Sequence, residues 1–293
     1  MAIFGGRMRV GFVGLGNMGE GMAWNLANKG FSPTVRDIRP EPVARLVAEG
    51  ARAAGTNAEL AAASEVVCLA VFDEQQLDDT VFPCGDDAGL LAGLQPGSVI
   101  AIHSTVAPSA VERIAKAAAE RGVDVLDAPM TGGANVAARA GTLTFMVGGD
   151  AEVLEKVRPV FSAMATSIFH GGPLGAGCAV KIVNNYLAVS HTLIVREAIR
   201  LGRAAGIGEE ELLHMLNTGA VGSNWATHHW QRIKSQEAGY TTGRAGMVSM
   251  AAKDMGLAER MARESGVATP SLDALLREGM PDMALSGMTD NGL

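Results

Sequence analysis

Arg9-Val10-Gly11-Phe12-Val13-Gly14-Leu15-Gly16-Asn17-Met18-Gly19 is the stretch that decides the fold class of this chain. Its first residues form a short apolar run suited to a buried parallel strand, and Glu20 to Lys29 continues as a helix-like segment. Strand, glycine turn and helix in that order are the setting in which a GxGxxG run binds a dinucleotide. Gly14 permits the tight turn, Gly16 lets backbone approach a pyrophosphate, and Gly19 lets helix and strand pack closely, with the phosphates at the positive end of the helix. The expected cofactor contacts are therefore Gly14, Leu15, Gly16, Asn17, Met18 and Gly19. A second strand, Ser32 to Arg36, ends at Asp37, roughly twenty residues beyond the glycines, where a carboxylate can bind both hydroxyls of an adenine ribose. An acidic residue there favours NAD, because it repels a 2′-phosphate. Arg36 and Arg39 flank it and leave NADP possible, either as charge-assisted partners of that phosphate or as solvated arginines at a strand end.

The 293 residues suffice for two domains and a sizeable core. With 48% hydrophobic and 19% charged residues the composition is that of an ordinary globular protein, which excludes disordered and collagen-like classes. A net charge of −7 and a pI near 5.4 give no electrostatic reason to expect nucleic acid or an anionic membrane as partner. Cys68, Cys84 and Cys178 are an odd number without CxxC spacing, which suits a reducing compartment and points to the cytoplasm. No leader is read at the N-terminus, and no apolar stretch is expected to reach the roughly eighteen residues of a membrane span.

From Met8 to about Phe169 short apolar runs alternate with helix-like segments: Val66 to Val71, Val99 to Ile102, Val123 to Asp127, Leu143 to Val147 and Ser167 to Phe169. That alternation predicts a mostly parallel sheet covered on both faces. Gly171, Gly172, Pro173, Gly175 and Gly177 then punctuate the chain. Beyond them Ala176 to about Ala205 reads as one long helix with an apolar face, followed by helical segments at Gly208 to Asn217, Ser223 to Ser235 and Met247 to Glu264. The expected architecture is an α/β Rossmann-type dinucleotide-binding domain over residues 1–172, then an all-α domain over 173–293 for substrate and oligomerisation, linked by the long helix.

Four motifs in this order, Gly11 to Gly19, Asp127-Ala128-Pro129-Met130-Thr131-Gly132-Gly133, Gly175-Ala176-Gly177-Cys178-Ala179-Val180-Lys181-Ile182-Val183-Asn184-Asn185, and Lys253-Asp254, carry a resemblance over essentially the whole chain. The chain resembles the 3-hydroxyisobutyrate dehydrogenase family, the β-hydroxyacid dehydrogenases. The resemblance implies NAD(P)-dependent oxidation of a small 3-hydroxy acid with Lys181 as the catalytic residue and Asn185 beside it. It further implies that Thr131, Gly132 and Gly133 hold the substrate carboxylate, that Lys253 lies near the nicotinamide and that Thr105 lies against the cofactor. It places Gly222 to Trp225 near the substrate pocket, where Trp225 or Asn224 sets substrate size and polarity, unless Trp225 serves the helical core. Relatives commonly form homodimers or homotetramers. Two departures stand out: Thr131 replaces the usual Ser, and Ile102-His103 replaces an Asp often found before Ser104-Thr105, which leaves His103 either near the cofactor or at an exposed strand end.

The chemistry reads consistently with these roles. Oxidising an alcohol needs a group that takes the hydroxyl proton as hydride leaves the adjacent carbon, and a lysine serves if burial and neighbouring positive charge keep its amine neutral. Asn185 is four residues after Lys181 and shares its helix face, so its carboxamide can accept from the amine or donate to the substrate oxygen. Asn184 points elsewhere and reads as a structural hydrogen-bonder. Gly132 and Gly133 precede the helix-like Ala134 to Ala140, and a helix start is a natural anion site. No metal is needed, and the adjacent His228 and His229 do not share a helix face and have no third ligand at suitable spacing. Ser223, Asn224 and Thr227 lean the substrate toward a polyhydroxy acid such as threonate or glycerate, with 3-hydroxyisobutyrate, 3-hydroxypropionate and L-serine equally able to offer a carboxylate and a nearby hydroxyl. The rivals are an enzyme resembling 6-phosphogluconate dehydrogenase, disfavoured by chain length and by the lack of an Arg/Lys cluster for a sugar phosphate; an imine reductase, which usually lacks the lysine; and a non-catalytic NAD-binding sensor.

Overall fold

The computed structural model describes residues 8–219 and 225–289. Two compact units divide the chain, Met1–Lys181 and Ile182–Leu293.

Among the described residues the first unit carries nine strands, β1 (Val10–Val13), β2 (Thr34–Arg36), β3 (Arg52–Ala53), β4 (Val66–Leu69), β5 (Val99–Ile102), β6 (Asp124–Asp127), β7 (Met130–Thr131), β8 (Leu143–Gly148) and β9 (Ala165–Gly172). Their order in one sheet is β3-β2-β1-β4-β5-β6-β8-β7, with β9 also on β8. Pairing is parallel from β3 through β6, so this half has the strand order of a dinucleotide-binding sheet. β8 then runs antiparallel to β6 and β7 and parallel to β9. β1, β4 and β5 are buried at every position, as non-alternating apolar runs covered on both faces must be. Successive side chains feed opposite faces: Val10, Phe12, Val66, Cys68, Val99 and Ala101 enter one core, and Val13, Val67, Leu69, Ile100 and Ile102 the other.

The helices of this unit are α1 (Gly19–Asn28), α2 (Pro40–Ala48), α3 (Asn57–Ala62), α4 (Glu74–Val81), α5 (Leu90–Gly93), α6 (Pro108–Ala119), α7 (Ala134–Ala140) and α8 (Ala151–Ser162). Local rules explain their starts. Thr56 and Glu59 form a reciprocal capping box at α3, Asp73 and Asp150 cap α4 and α8, and Pro40 and Pro108 open α2 and α6.

The long helix α9 (Ala176–Ala204) begins in the first unit and continues through the second. The second unit adds α10 (Glu209–Thr218), α11 (Trp225–His228), α12 (Trp230–Ala238), α13 (Gly243–Glu264), α14 (Pro270–Ala274) and α15 (Met280–Ser286), with a π-helical turn at Leu275–Gly279 between the last two. The single helix expected over Ser223 to Ser235 is broken at His229. Two buried charges hold this unit's C-terminal end. Arg196 donates to Asp282 and to the Gly287 carbonyl, and Glu237 accepts from the Met288 and Thr289 backbone. One expectation changes here: α9 contains an 18-residue window of mean hydropathy 1.3, long and apolar enough by length and composition to cross a membrane. It also carries Lys181, Asn184, Asn185, Arg196 and Arg200, and a third of that window is buried.

Candidate active site

The dinucleotide loop lies at the carboxyl ends of β1, β2, β4 and β5, where open α/β sheets bind ligands. What a Cβ would meet separates the three glycines. At Gly14, with φ of 90°, it would lie 2.5 Å from the Ala70 carbonyl oxygen. At Gly19 it would run into the Gly14 carbonyl and approach the Phe12 ring to 3.0 Å. At Gly16 it would meet nothing within 4 Å, so the backbone faces open space at the start of α1. A tight turn, a close helix–strand contact and an open cradle at a helix N-terminus are what a pyrophosphate needs, and these residues fit an NAD(P) group.

Asp37 closes the loop from β2. Its Oδ2 accepts from the Leu15 N–H at 2.6 Å, and Oδ1 accepts from the Arg39 N–H at 2.9 Å and the Arg39 Nε at 3.1 Å. Burial works to raise the carboxyl's pKa, but the hydrogen bonds from Arg39 and Leu15 together outweigh it and hold it below its ordinary value. Arg39 also donates to the Leu15 carbonyl at 3.0 Å. Arg36 donates to Asn57 at 3.0 Å and to Asp87 at 3.3 Å. Both arginines that flank Asp37 are therefore engaged rather than freely solvated.

Thr131 and Gly132 lead from β7 into α7. Gly132 and Gly133 have φ of 128° and 117°, backbone that favours glycine, and Gly133 is the N-cap of α7 over the expected Ala134 to Ala140. Thr131 is half-buried and pairs with Thr144 of β8.

The same chain segment reaches the lysine helix through a residue whose role is not evident from the sequence. Asp127, fully buried at the end of β6, accepts from the Gly175 N–H at 2.8 Å and the Cys178 N–H at 2.7 Å. A helix leaves its first N–H groups without internal partners, and a carboxylate at that end also opposes the helix dipole favourably. Asp127 thus fastens the start of α9 three residues before Lys181, and itself ends β6 four residues before Thr131 of β7. Gly177 makes room for it, since a Cβ there would collide with the Met146 carbonyl and lie 2.9 Å from Asp127 Oδ2. Lys181 is half-buried, and its apolar neighbours on the helix, Val180 and Val183, are each 47% exposed.

Within the second unit Asn185 donates through Nδ2 to Asp254 Oδ2 at 2.6 Å and accepts from Asn184 at 3.0 Å. Lys253 lies 3.0 Å from Asp254 Oδ1. The buried Asp254 fixes the orientation of the Asn185 amide and pairs with Lys253, a function invisible in a bare Lys-Asp dipeptide. Thr105 is half-buried just beyond β5, where Ser104 accepts from the Val71 N–H at 3.0 Å. Trp225 opens α11, and its side chain lies outside the described residues, as do Gly222, Ser223 and Asn224. Thr227 is buried at 5% exposure.

His103 corrects a second expectation. It is not an exposed strand end but 1% exposed, packed against Phe145 and Phe161 with ring centroids at 4.9 and 5.4 Å, with Phe12 stacked at 6.5 Å. Its Nδ1 lies 2.8 Å from the Ala128 carbonyl oxygen, which can only accept, so Nδ1 carries the proton. Burial pushes its pKa down to about 4 against the opposing effect of that hydrogen bond.

Comparison with known proteins places this geometry. Residues 9–172 match the model of the NAD binding domain of 6-phosphogluconate dehydrogenase, and residues 175–290 match the model described as NAD-binding of NADP-dependent 3-hydroxyisobutyrate dehydrogenase. An NAD-dependent L-serine dehydrogenase of Pseudomonas aeruginosa is 40% identical over 266 residues, 89% of this chain and 88% of that protein. A 3-hydroxyisobutyrate dehydrogenase of the same organism is 38% identical over 92% of this chain and 89% of its own length. Among solved structures, the 3-hydroxyisobutyrate dehydrogenase of Mycobacterium tuberculosis with L-serine superposes with a TM-score of 0.83 at 25% identity, covering 98% of this chain and 97% of that one. With an NAD(P)-binding first unit, a helical second unit and relatives of this identity over nearly its full length, the chain belongs to the 3-hydroxyisobutyrate dehydrogenase family of β-hydroxyacid dehydrogenases.

Proposed function

We propose that this enzyme oxidises the hydroxyl of a small 3-hydroxy acid to the semialdehyde or keto acid, and catalyses the reverse reduction, with Lys181 as general acid/base and NAD as the preferred cofactor. The observation that supports the reading is the pair of hydrogen bonds that Asp127 accepts from the start of α9, because one buried carboxylate ties the segment leading to Thr131, Gly132 and Gly133 to the helix bearing Lys181. Thr131 and the N–H groups at Gly132 and Gly133 take the substrate carboxylate, which orients the hydroxyl toward Lys181. Lys181 removes the hydroxyl proton in oxidation and returns it in reduction. Asn185, its amide held by Asp254 and its oxygen accepting from Asn184, is the proposed neighbour of Lys181, four residues along the helix. Gly14 to Gly19, Asp37 and Thr105 hold the cofactor, with Lys253 as a further contact, and the nicotinamide supplies the hydride acceptor when bound. Asp37 supports NAD, since its carboxylate sits where a 2′-phosphate would meet it and Arg39 is already engaged.

L-serine and 3-hydroxyisobutyrate head the substrates we propose, from the named activities of the relatives, ahead of L-threonate and glycerate. Trp225 remains our candidate for setting substrate size. We further read the protein as cytoplasmic and as a homodimer or homotetramer.

Initial rates with these four acids, with NAD and NADP separately and Lys181→Ala alongside, test the proposal. We expect one acid to turn over and the variant to lose roughly 100- to 10,000-fold in kcat while still binding NADH, the range of general acid–base contributions. Cofactor binding without turnover of any acid would sink the hydroxy-acid reading and favour a sensor.

A further inference from the structure

Helices α1 and α7 meet backbone to backbone. A Cβ at Gly21 would lie 2.8 Å from the Arg139 nitrogen and 2.9 Å from the Ala138 carbonyl carbon, so glycine is what lets the cofactor helix come this close. Into that seam Asn25, 4% exposed, directs its carboxamide. Nδ2 donates to the Gly21 carbonyl of its own helix at 2.9 Å, to the Ala138 carbonyl at 2.7 Å and to the Arg139 carbonyl at 3.1 Å. An amide nitrogen has two hydrogens, so one is shared between two of these acceptors. Ala138 and Arg139 belong to the last turn of α7, where the C-cap Gly141 N–H reaches the Ala138 carbonyl at a long 3.4 Å. Asn25 adds a shorter bond to Ala138 and one to Arg139 from another helix, 113 and 114 residues away in sequence. Beyond α7, Gly141 at φ of 68° lays bare backbone on the same carboxamide, where a Cβ would lie 2.8 Å from Asn25 Oδ1. One residue before Asn25, the Arg139 guanidinium sits 3.5 Å over the Trp24 ring.

α7 has seven residues and is therefore about 10 Å long, a rod too short to bend, so what fixes its end also fixes Gly132 and Gly133 at its start. We propose that Asn25 is a positioning residue: by fastening the end of α7 to α1 it sets the Thr131 to Gly133 loop relative to the helix that carries the cofactor phosphates. The carboxylate site is then held against the cofactor helix, and loosening that seam weakens binding of the acid equally in ground and transition state, which raises KM and leaves kcat. The proposal rests on the reading of Thr131 to Gly133 as the carboxylate site.

The test uses the full-length enzyme, the fastest of the four acids above at saturating NAD, and NADH binding measured by fluorescence. Asn25→Ser keeps a hydroxyl able to bond the Gly21 carbonyl but too short to reach α7, and Thr131→Ala is measured beside it. We expect Asn25→Ser to raise KM for the acid about tenfold, the scale of one lost hydrogen bond to a charged group, with kcat and NADH affinity essentially unchanged. If Thr131→Ala raises KM and Asn25→Ser does not, the positioning role is overturned and the carboxylate site stands. If neither changes KM, the carboxylate site fails and the proposal with it. A loss of kcat and NADH affinity in Asn25→Ser without a selective KM effect also overturns it, as that is the mark of general loosening. Should Asn25→Ser not fold, Arg139→Ala, which loosens the same seam at the Trp24 ring, must show the same selective rise in KM at smaller amplitude, or the proposal falls.

Discussion

Asp37 and Arg39 act as a pair, and the pair is what the cofactor preference turns on. The sequence leaves Arg39 open as either a phosphate ligand or a solvated side chain, because both occur at strand ends; the structure gives it a third state, held on the Asp37 carboxylate and the Leu15 carbonyl. A carboxylate has room for about four donors, so beside the three bonds it makes Asp37 keeps acceptor capacity for about one more, such as a ribose hydroxyl. Asp37→Ser removes the negative charge and releases the guanidinium in one step, while Arg36 stays tied to Asn57 and Asp87. Hydrogen bonds to charged groups contribute about 1.5–3 kcal/mol, so the ratio of kcat/KM for NADP over NAD is expected to rise about tenfold to a hundredfold. Steady-state rates with the two cofactors measure it directly. An unchanged ratio would mean that neither side chain reads the adenine ribose.

β5 ends in a residue that a strand pattern alone misplaces. His103 follows four buried apolar residues at the position where strands commonly reach solvent, but the antiparallel β8 and helix α8 cover that end with Phe145 and Phe161. Its lowered pKa makes stability depend on pH with a definite sign. The unfolded chain takes up the proton near the ordinary value of 6.5 and the folded protein only near 4, so the contribution is whole above pH 6.5 and is lost as pH falls toward 4. Between pH 7 and pH 5 that amounts to about 2 kcal/mol. Urea unfolding of wild type and His103→Phe at both values checks it; the variant should show a pH dependence shallower by that amount, and parallel curves would show that the buried imidazole does not titrate there. The same elements mark the limit of what the sequence makes legible. β1, the glycine turn, α1, α7 and α9 were expected within a few residues, since length, periodicity and glycine punctuation are local signals. The two-residue strands β3 and β7 carry no period to detect, and they exist because neighbouring strands pair with them. Asp127 and Asn25 were silent for a related reason: their hydrogen-bond partners lie 48 to 114 residues away, and nothing in a run of adjacent residues reports a long-range acceptor.

The proposed homo-oligomer would be built on what α9 leaves uncovered. Leu187, Ile194 and Leu201 recur every seven residues at 48%, 59% and 74% exposure, with Val183 on the same stripe at 47%. A seven-residue apolar repeat is the seam on which one helix packs against another, and single large apolar side chains contribute roughly 1.5–3 kcal/mol each when fully buried. Four such residues on each copy, counted twice in a two-fold interface, exceed what scattered surface leucines explain. The charge of −7 opposes association only over a Debye length of about 8 Å at physiological salt, so it does not offset contact burial of this size. The wild-type protein is therefore expected to run as a dimer or tetramer in light scattering at micromolar concentration. Ile194→Glu with Leu201→Glu, which places two carboxylates on the seam of each copy, should shift it to monomer while leaving the first unit's NADH affinity intact, because neither residue belongs to that unit. A wild-type monomer, or a double variant that assembles as before, would mean that the stripe is covered by something other than a second copy.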